Sequence, residues 1–105
     1  MTPPRHSTDR AAPIGVFDSG IGGLSVLQAL RTTLPGEDVV YVADSAHTPY
    51  GERSDAFVAE RTLAIALHLR DAHGAKLLVI ACNTASAAGA HAVRHDNPGW
   101  PVVAI

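Results

Sequence analysis

Leu77-Leu78-Val79-Ile80-Ala81-Cys82-Asn83-Thr84-Ala85-Ser86 is an unbroken apolar run that ends in a thiol and then turns polar. It reads as a buried strand followed by a turn that opens a helix, because a strand covered on both faces shows no polar alternation. Cys82, the only cysteine in the chain, therefore stands at the carboxyl end of a strand and the amino end of a helix. Helix-terminal N–H groups favour the thiolate, which is the reactive form whether as nucleophile or as base. A cysteine alone is more often a small buried hydrophobe. The polar Asn83-Thr84 that follows it shifts the reading towards chemistry.

The alternation of strand and helix continues outward from this stretch. Pro13 to Phe17 is a short apolar run that stops at Asp18-Ser19-Gly20. Leu24 to Leu34 has helical spacing, with Gly23, Leu27, Leu30 and Leu34 on one face, and Pro35-Gly36 ends it. Asp38 to Ala43 is β-branched and aromatic and reads as a second strand. Asp44 to Arg53 is a loop around Pro49-Tyr50-Gly51. Ser54 suits the N-cap of a helix from Asp55 to His73 whose inner stripe is Val58, Thr62, Ile65 and Leu69, with Gly74 as its C′ residue. Lys76 to Ala81 is the third strand. Thr84 to about Arg94 is an alanine-rich helix suited to close packing on a sheet, and Asn97-Pro98-Gly99 ends it. Val102 to Ile105 begins a fourth strand, and no internal repeat or low-complexity segment is visible.

Continuous apolar strands alternating with helices specify an α/β fold, a parallel sheet with helices on both faces, doubly wound through right-handed crossovers. Ligands bind such sheets outside the carboxyl ends of the strands. The polar residues follow that rule: the strands end in Asp18-Ser19, Asp44-Ser45 and Cys82-Asn83-Thr84.

Composition sets the wider limits. The 105 residues suit one domain with a single core. A net charge of −2 gives no basic footprint, so nucleic acid is not an expected partner. One cysteine rules out an internal disulfide framework and fits a reducing cytosol, so a cytoplasmic location is expected. No stretch approaches the ~20 apolar residues of a membrane span, so no membrane partner is expected. Residues 1–12 read as a flexible tail without the apolar core of a signal peptide. Residues 13–105 are the α/β domain. The Val102–Ile105 strand has no helix after it, which leaves an open edge. The expectation is a domain truncated at its carboxyl-terminal end, with the missing half or a second copy covering that edge.

Each candidate motif has two readings. Asp18-Ser19-Gly20-Ile21-Gly22-Gly23 sits where dinucleotide folds keep a phosphate loop, but G-x-G-x-x-G fails because the third glycine position is Ser25. Asp18 would repel a phosphate, although Asp44 lies near the place of a ribose-binding acid. The alternatives are a tight turn using positive φ, or a loop whose N–H groups hold a carboxylate while Asp18 faces an ammonium group or tunes a proton-transfer residue. His91 and His95 have i, i+4 spacing but no evident third ligand, so no metal is expected. They read as solvated helix residues, as do His47, His68 and His73. Lys76, the only lysine, opens a strand at the rim opposite the polar cluster, which argues against covalently bound pyridoxal phosphate.

Three motifs in order, Ile14-Gly15-Val16-Phe17-Asp18-Ser19-Gly20-Ile21-Gly22-Gly23, Pro49-Tyr50-Gly51 and Ala81-Cys82-Asn83-Thr84-Ala85, resemble those of the glutamate racemases, in the cofactor-independent aspartate/glutamate racemase group. The resemblance runs from about residue 13 to the end. It implies the first of two similar α/β domains with the substrate, glutamate, between them, no cofactor, and D-glutamate made for peptidoglycan. By resemblance Cys82 is one of two catalytic thiols and Asp18 assists its nearby cysteine. Asp18, Ser19, Tyr50, Gly51, Asn83 and Thr84 match substrate-binding positions. The family's second cysteine, and a histidine near it, fall in a second half that these residues do not contain, so the chain is expected to be inactive alone. Aspartate as substrate and a nucleotide-binding module remain the alternatives.

Overall fold

A computed structural model describes residues 9–20 and 22–105. Most of the expected tail, and Ile21 of the glycine-rich loop, lie outside them. Four strands, β1 (Ile14–Asp18), β2 (Val39–Ala43), β3 (Leu77–Ile80) and β4 (Val102–Ala104), alternate with α1 (Leu24–Thr33), α2 (Asp55–His73) and α3 (Asn83–Asp96). The sheet order is β2-β1-β3-β4 and every pairing is parallel. The chain steps from β1 to one neighbour, β2, and then returns across β1 to the other, β3. The switch point thus lies between the carboxyl ends of β1 and β3, where open α/β sheets bind ligands.

Period-2 alternation divides the strands between two clusters. Phe17, Leu78 and Ile80 face α2 and α3, where Val58, Ile65, Leu69, Ala85, Ala90 and Val93 meet them. Ile14, Val16, Val79 and Ala81 face the other side, against Val26 and Leu30 of α1. The expected inner stripe of α2 is buried residue for residue: Val58, Thr62, Ile65 and Leu69. Its caps are those expected too. Ser54 Oγ accepts the Phe57 N–H at 3.1 Å, and Gly74 takes φ +63°, a left-handed conformation that costs glycine little.

Two expectations are corrected. Of the expected α1 stripe Leu30 does pack on the sheet, but its companion there is Val26, not Leu27 or Leu34. Leu34 has left the helix and is 43 % exposed, and no residue of α1 is fully buried. Gly23 is buried because it forms the N-cap beneath Asp18. In α3 the small residues serve the neighbouring helix as well as the sheet. A Cβ on Gly89 would lie 2.7 Å from Thr62 Cβ, so α2 and α3 cross at a distance only glycine permits. Beyond α3, the Trp100 indole N–H donates to the Ala75 carbonyl at 3.0 Å, which ties the entry of β4 to that of β3.

The α1 side is the thinner one. An apolar groove of about 410 Å3 runs between α1 and the β3–β4 edge, and Val103 and Ile105 remain half exposed. No helix among the described residues is long and apolar enough to cross a membrane.

Candidate active site

At the switch point Ser19, Tyr50, Gly51, Cys82, Asn83 and Thr84 share the wall of one cavity of about 390 Å3. Ala81, Val26 and Ile105 supply apolar parts of the same wall. Three segments far apart in sequence meet here because parallel strands all end at one rim. Cys82 is half-buried and is itself the N-cap of α3. Its Sγ accepts the Ala85 N–H at 3.4 Å, the place an Asn or Ser side chain usually takes. Helix α3 starts at Asn83, a residue earlier than the spacing suggested, which brings the thiol onto the helix terminus itself.

Asp18 is placed differently. It is the last residue of β1, 1 % exposed, and its side chain points to the α1 side. One oxygen, Oδ2, accepts the Gly23 N–H at 3.0 Å and the Tyr41 hydroxyl at 2.7 Å. The other, Oδ1, is buried with no partner among the described residues. Asp18 is not part of the cavity wall, although its neighbour Ser19 is. Burial, then the bond and the charge of Asp18, push the Tyr41 phenol up to about 12, so it keeps its proton and stays a donor. Gly20 and Gly22 take the positive φ expected of the loop, and Gly23 fills a second need. A Cβ there would lie 2.4 Å from Asp18 Oδ2. The N-cap N–H of α1 is thus held by the chain's own carboxylate, where a dinucleotide fold would offer its helix terminus to a phosphate.

Asp44 directly follows β2 and does not face a ribose site. It is 8 % exposed and its carboxylate is fully engaged. Arg61 of α2 forks onto it, Nε to Oδ2 and Nη2 to Oδ1, both at 2.9 Å. The Tyr50 hydroxyl donates to Oδ2 at 2.5 Å, and His47 Nδ1 lies 3.0 Å from Oδ1. Burial pushes the Asp44 carboxyl up, but the bonds from Arg61, Tyr50 and His47 outweigh it and hold the group well below the usual carboxylate range. Burial and the same bond drive the Tyr50 phenol far above its ordinary value. The loop expected over residues 44–53 is two short 3-10 turns, Ser45–His47 and Tyr50–Glu52, gathered around this carboxylate.

Three of these residues were not singled out from sequence. His47, read as solvated, is half-buried, bonded to Asp44 and tilted against the Phe57 ring at 5.9 Å between centroids. Tyr41 was read only as a strand aromatic. Arg61 carried a usable signal: it borders the inner stripe three residues after Val58 and four before Ile65, and a cation there demands a buried anion. His91 and His95 stay near each other, and the described residues contain no group of three potential metal ligands.

An open parallel sheet with a polar cavity at its switch point defines an α/β domain built to hold a small ligand. Comparison with known proteins names the kind. The chain is 54 % identical over 94 residues, 90 % of its length, to the glutamate racemase of Pseudomonas syringae pv. tomato, and covers 34 % of that protein. It is 52 % identical over 99 residues, 94 % of its length, to the glutamate racemase of Ralstonia pickettii, and again covers 34 %. Among solved structures, Francisella tularensis glutamate racemase in complex with D-glutamate superposes with a TM-score of 0.84 at 40 % identity, over 90 % of this chain and 35 % of that one. Escherichia coli glutamate racemase, solved with L-glutamate and the activator UDP-MurNAc-ala, gives 0.82 at 41 % identity over the same shares. No protein-family model matches. Over the residues these comparisons cover, the chain is similar to glutamate racemases, and it spans about a third of their length.

Proposed function

We propose that this chain supplies one half of the proton-transfer site of a glutamate racemase. The observation that supports it most is Cys82, capping α3 on the wall of a cavity shared with Ser19, Tyr50, Gly51, Asn83 and Thr84. Inverting an α-carbon without a cofactor needs a base on one face and an acid on the other. The Cys82 thiolate takes the α-proton, the electron pair left on Cα delocalises into the carboxylate, and an acid on the opposite face returns a proton to Cα. Donors around the carboxylate must stabilise that developing charge. The Ser19 and Thr84 hydroxyls and the N–H groups after β1 and β3 serve here, with Tyr50, Gly51 and Asn83 as further substrate contacts. Asp18 assists from beneath the loop through its spare oxygen.

The chain has a single cysteine, so it carries one of the two thiols and is inactive or nearly so alone. Residues 13–105 are the amino-terminal α/β domain of the racemase. The apolar α1-side groove and β4 edge are where the other half, or a second copy, packs. The whole enzyme works in the cytoplasm and supplies D-glutamate for peptidoglycan. Glutamate is preferred to aspartate because the relatives are glutamate racemases. A nucleotide is disfavoured because Asp18 occupies the α1 N-terminus.

The test is to incubate the purified chain with each glutamate enantiomer in D2O. Loss of the Cα–H signal of one enantiomer, abolished in Cys82→Ser, without the appearance of its mirror image, is the expected result. Full racemisation that survives Cys82→Ser refutes the role given to the thiol.

A further inference from the structure

The cavity wall at Tyr50 and Gly51 does not stand on its own backbone. Between Asp44 and Ser54 the chain makes few internal backbone bonds: His47 N–H to the Asp44 carbonyl at 3.1 Å and Arg53 N–H to the Tyr50 carbonyl at 3.0 Å. What fixes its course is the Asp44 carboxylate, which receives the Tyr50 hydroxyl from one end of the segment and His47 from the other. That carboxylate is aimed by the Arg61 fork, whose planar geometry sets both oxygens at once. Arg61 stands on α2, which is anchored to the core by Val58, Thr62 and Ile65. It does not line the cavity.

We propose that Arg61 is a positioning residue that sets the Tyr50–Gly51 wall of the ligand cavity, acting through Asp44. The inference rests on the racemase reading for the identity of the ligand, but not for the clamp itself. A guanidinium fixes the plane of a carboxylate. An ammonium neutralises it without fixing its plane. The carboxylate's plane decides where the Tyr50 hydroxyl points, and the phenol carries Gly51 with it. The Tyr50 ring also rests on Phe17 at 6.1 Å, so the loop swings about that contact when the hydroxyl bond is lost.

The experiment is amide hydrogen exchange by NMR on the 105-residue chain, with Arg61→Ala, Arg61→Lys and Tyr50→Phe. In Arg61→Ala the amides of residues 45–53 should exchange about tenfold faster or more, as expected when a local opening loses a charge-assisted bond. Those of β1 and β3 should be unchanged. Arg61→Lys should recover part of the protection. Millimolar guanidinium should restore Arg61→Ala where ammonium does not. Titration with D- and L-glutamate, read on the Asn83 and Thr84 amides, should show about tenfold weaker binding in Arg61→Ala, because a displaced wall misplaces the ligand. Tyr50→Phe cuts the same carboxylate from the other side and should loosen the same amides, which decides the matter should Arg61→Ala fail to fold. Unchanged loop exchange, equal rescue by ammonium, or loosening spread evenly over the sheet each overturns the proposal. An unaltered chain that shows no shift with glutamate counts against the racemase reading. The ligand-free exchange then still supports or overturns the clamp.

Discussion

Two aspartates stand at the carboxyl ends of neighbouring strands, Asp18 as the last residue of β1 and Asp44 directly after β2, and both are buried. They are even linked, since the Asp44 N–H donates to the Asp18 carbonyl at 2.9 Å. Asp44 has donors on both oxygens: a guanidinium fork, a phenol and an imidazole. Asp18 has two donors on Oδ2 and a buried Oδ1 with no partner among the described residues. A saturated carboxylate has nothing left to give a ligand, so its work is to hold the loop it bonds. An unsaturated buried carboxylate carries a desolvation cost of about 1–3 kcal/mol that a fold selected only for stability would remove. The difference separates scaffold from reserve: Asp44 shapes the cavity, and Asp18 keeps acceptor capacity at the switch point.

The isosteric change Asp44→Asn tests the saturated side and should have the largest effect. An amide nitrogen would face donors, and Arg61 would lose its counter-charge. Breaking a buried pair costs about 3–5 kcal/mol, and with Arg61 29 % exposed the expected loss is near about 3 kcal/mol in urea unfolding. The same group sets the acid limb. Its folded pKa is depressed, so its stabilisation is present above the unfolded value of about 4 and is lost as pH falls through the folded value. Wild-type stability should therefore keep falling below pH ~4, and Asp44→Asn should remove that part of the slope.

Gly23→Ala presses on the other aspartate. The new methyl would sit 2.4 Å from the Asp18 carboxyl, so either α1 or the carboxylate must move. Overpacking of this kind costs about 1–3 kcal/mol. Thermal unfolding should show a loss of about 2 kcal/mol, because alanine gains no helix propensity at an N-cap position to offset it.

Tyr41→Phe removes one donor from Asp18 Oδ2 and should cost about 1.5 kcal/mol, the range for a bond to a charged group. It also carries a pH signature of opposite sign to that of Asp44. The Tyr41 phenol is pushed up from 10.0 to about 12, so its contribution is full below pH ~10 and lost as pH rises through about 12. The alkaline limb of the melting profile should be shallower in Tyr41→Phe than in the wild type. An unchanged limb would mean that the hydroxyl is not tied to Asp18.

The fold was legible because its signals are local and redundant. Apolar runs, the Ser54 and Gly74 caps and the Val58–Leu69 stripe each point to one structure. The α1 stripe was misjudged because leucine was taken to mark the inner face. The sheet takes Leu30 as expected but Val26 in place of Leu27, and leaves Leu24 64 % exposed. Ser19, Cys82, Asn83 and Thr84 meet on one cavity wall because strand ends converge, and Tyr50 and Gly51, singled out by the resemblance, reach it from the loop after β2. The distinction between Asp18 and Asp44 was not legible. Both follow an apolar run and precede a serine, and what separates them comes from partners 17 and 23 residues away, Arg61 and Tyr41. Long-range hydrogen bonds of that kind leave no period in the sequence.

The smallest expected change in stability is the most informative. In Asp18→Asn the amide oxygen can take the place of Oδ2, keeping the Gly23 N–H and the Tyr41 hydroxyl. The amide nitrogen then takes the place of Oδ1, where no donor among the described residues faces it. The loss is the attraction of a carboxylate for the α1 N-terminus, about 0.5–1 kcal/mol. Asp18→Asn should therefore unfold almost as the wild type does, whereas Asp44→Asn should not. If both variants lose equal stability, Asp18 is as much scaffold as Asp44, and the contrast between them fails. If Asp18→Asn is stable yet abolishes Cα–H exchange of glutamate, the Asp18 carboxylate is needed for the chemistry at the thiol and not for the fold.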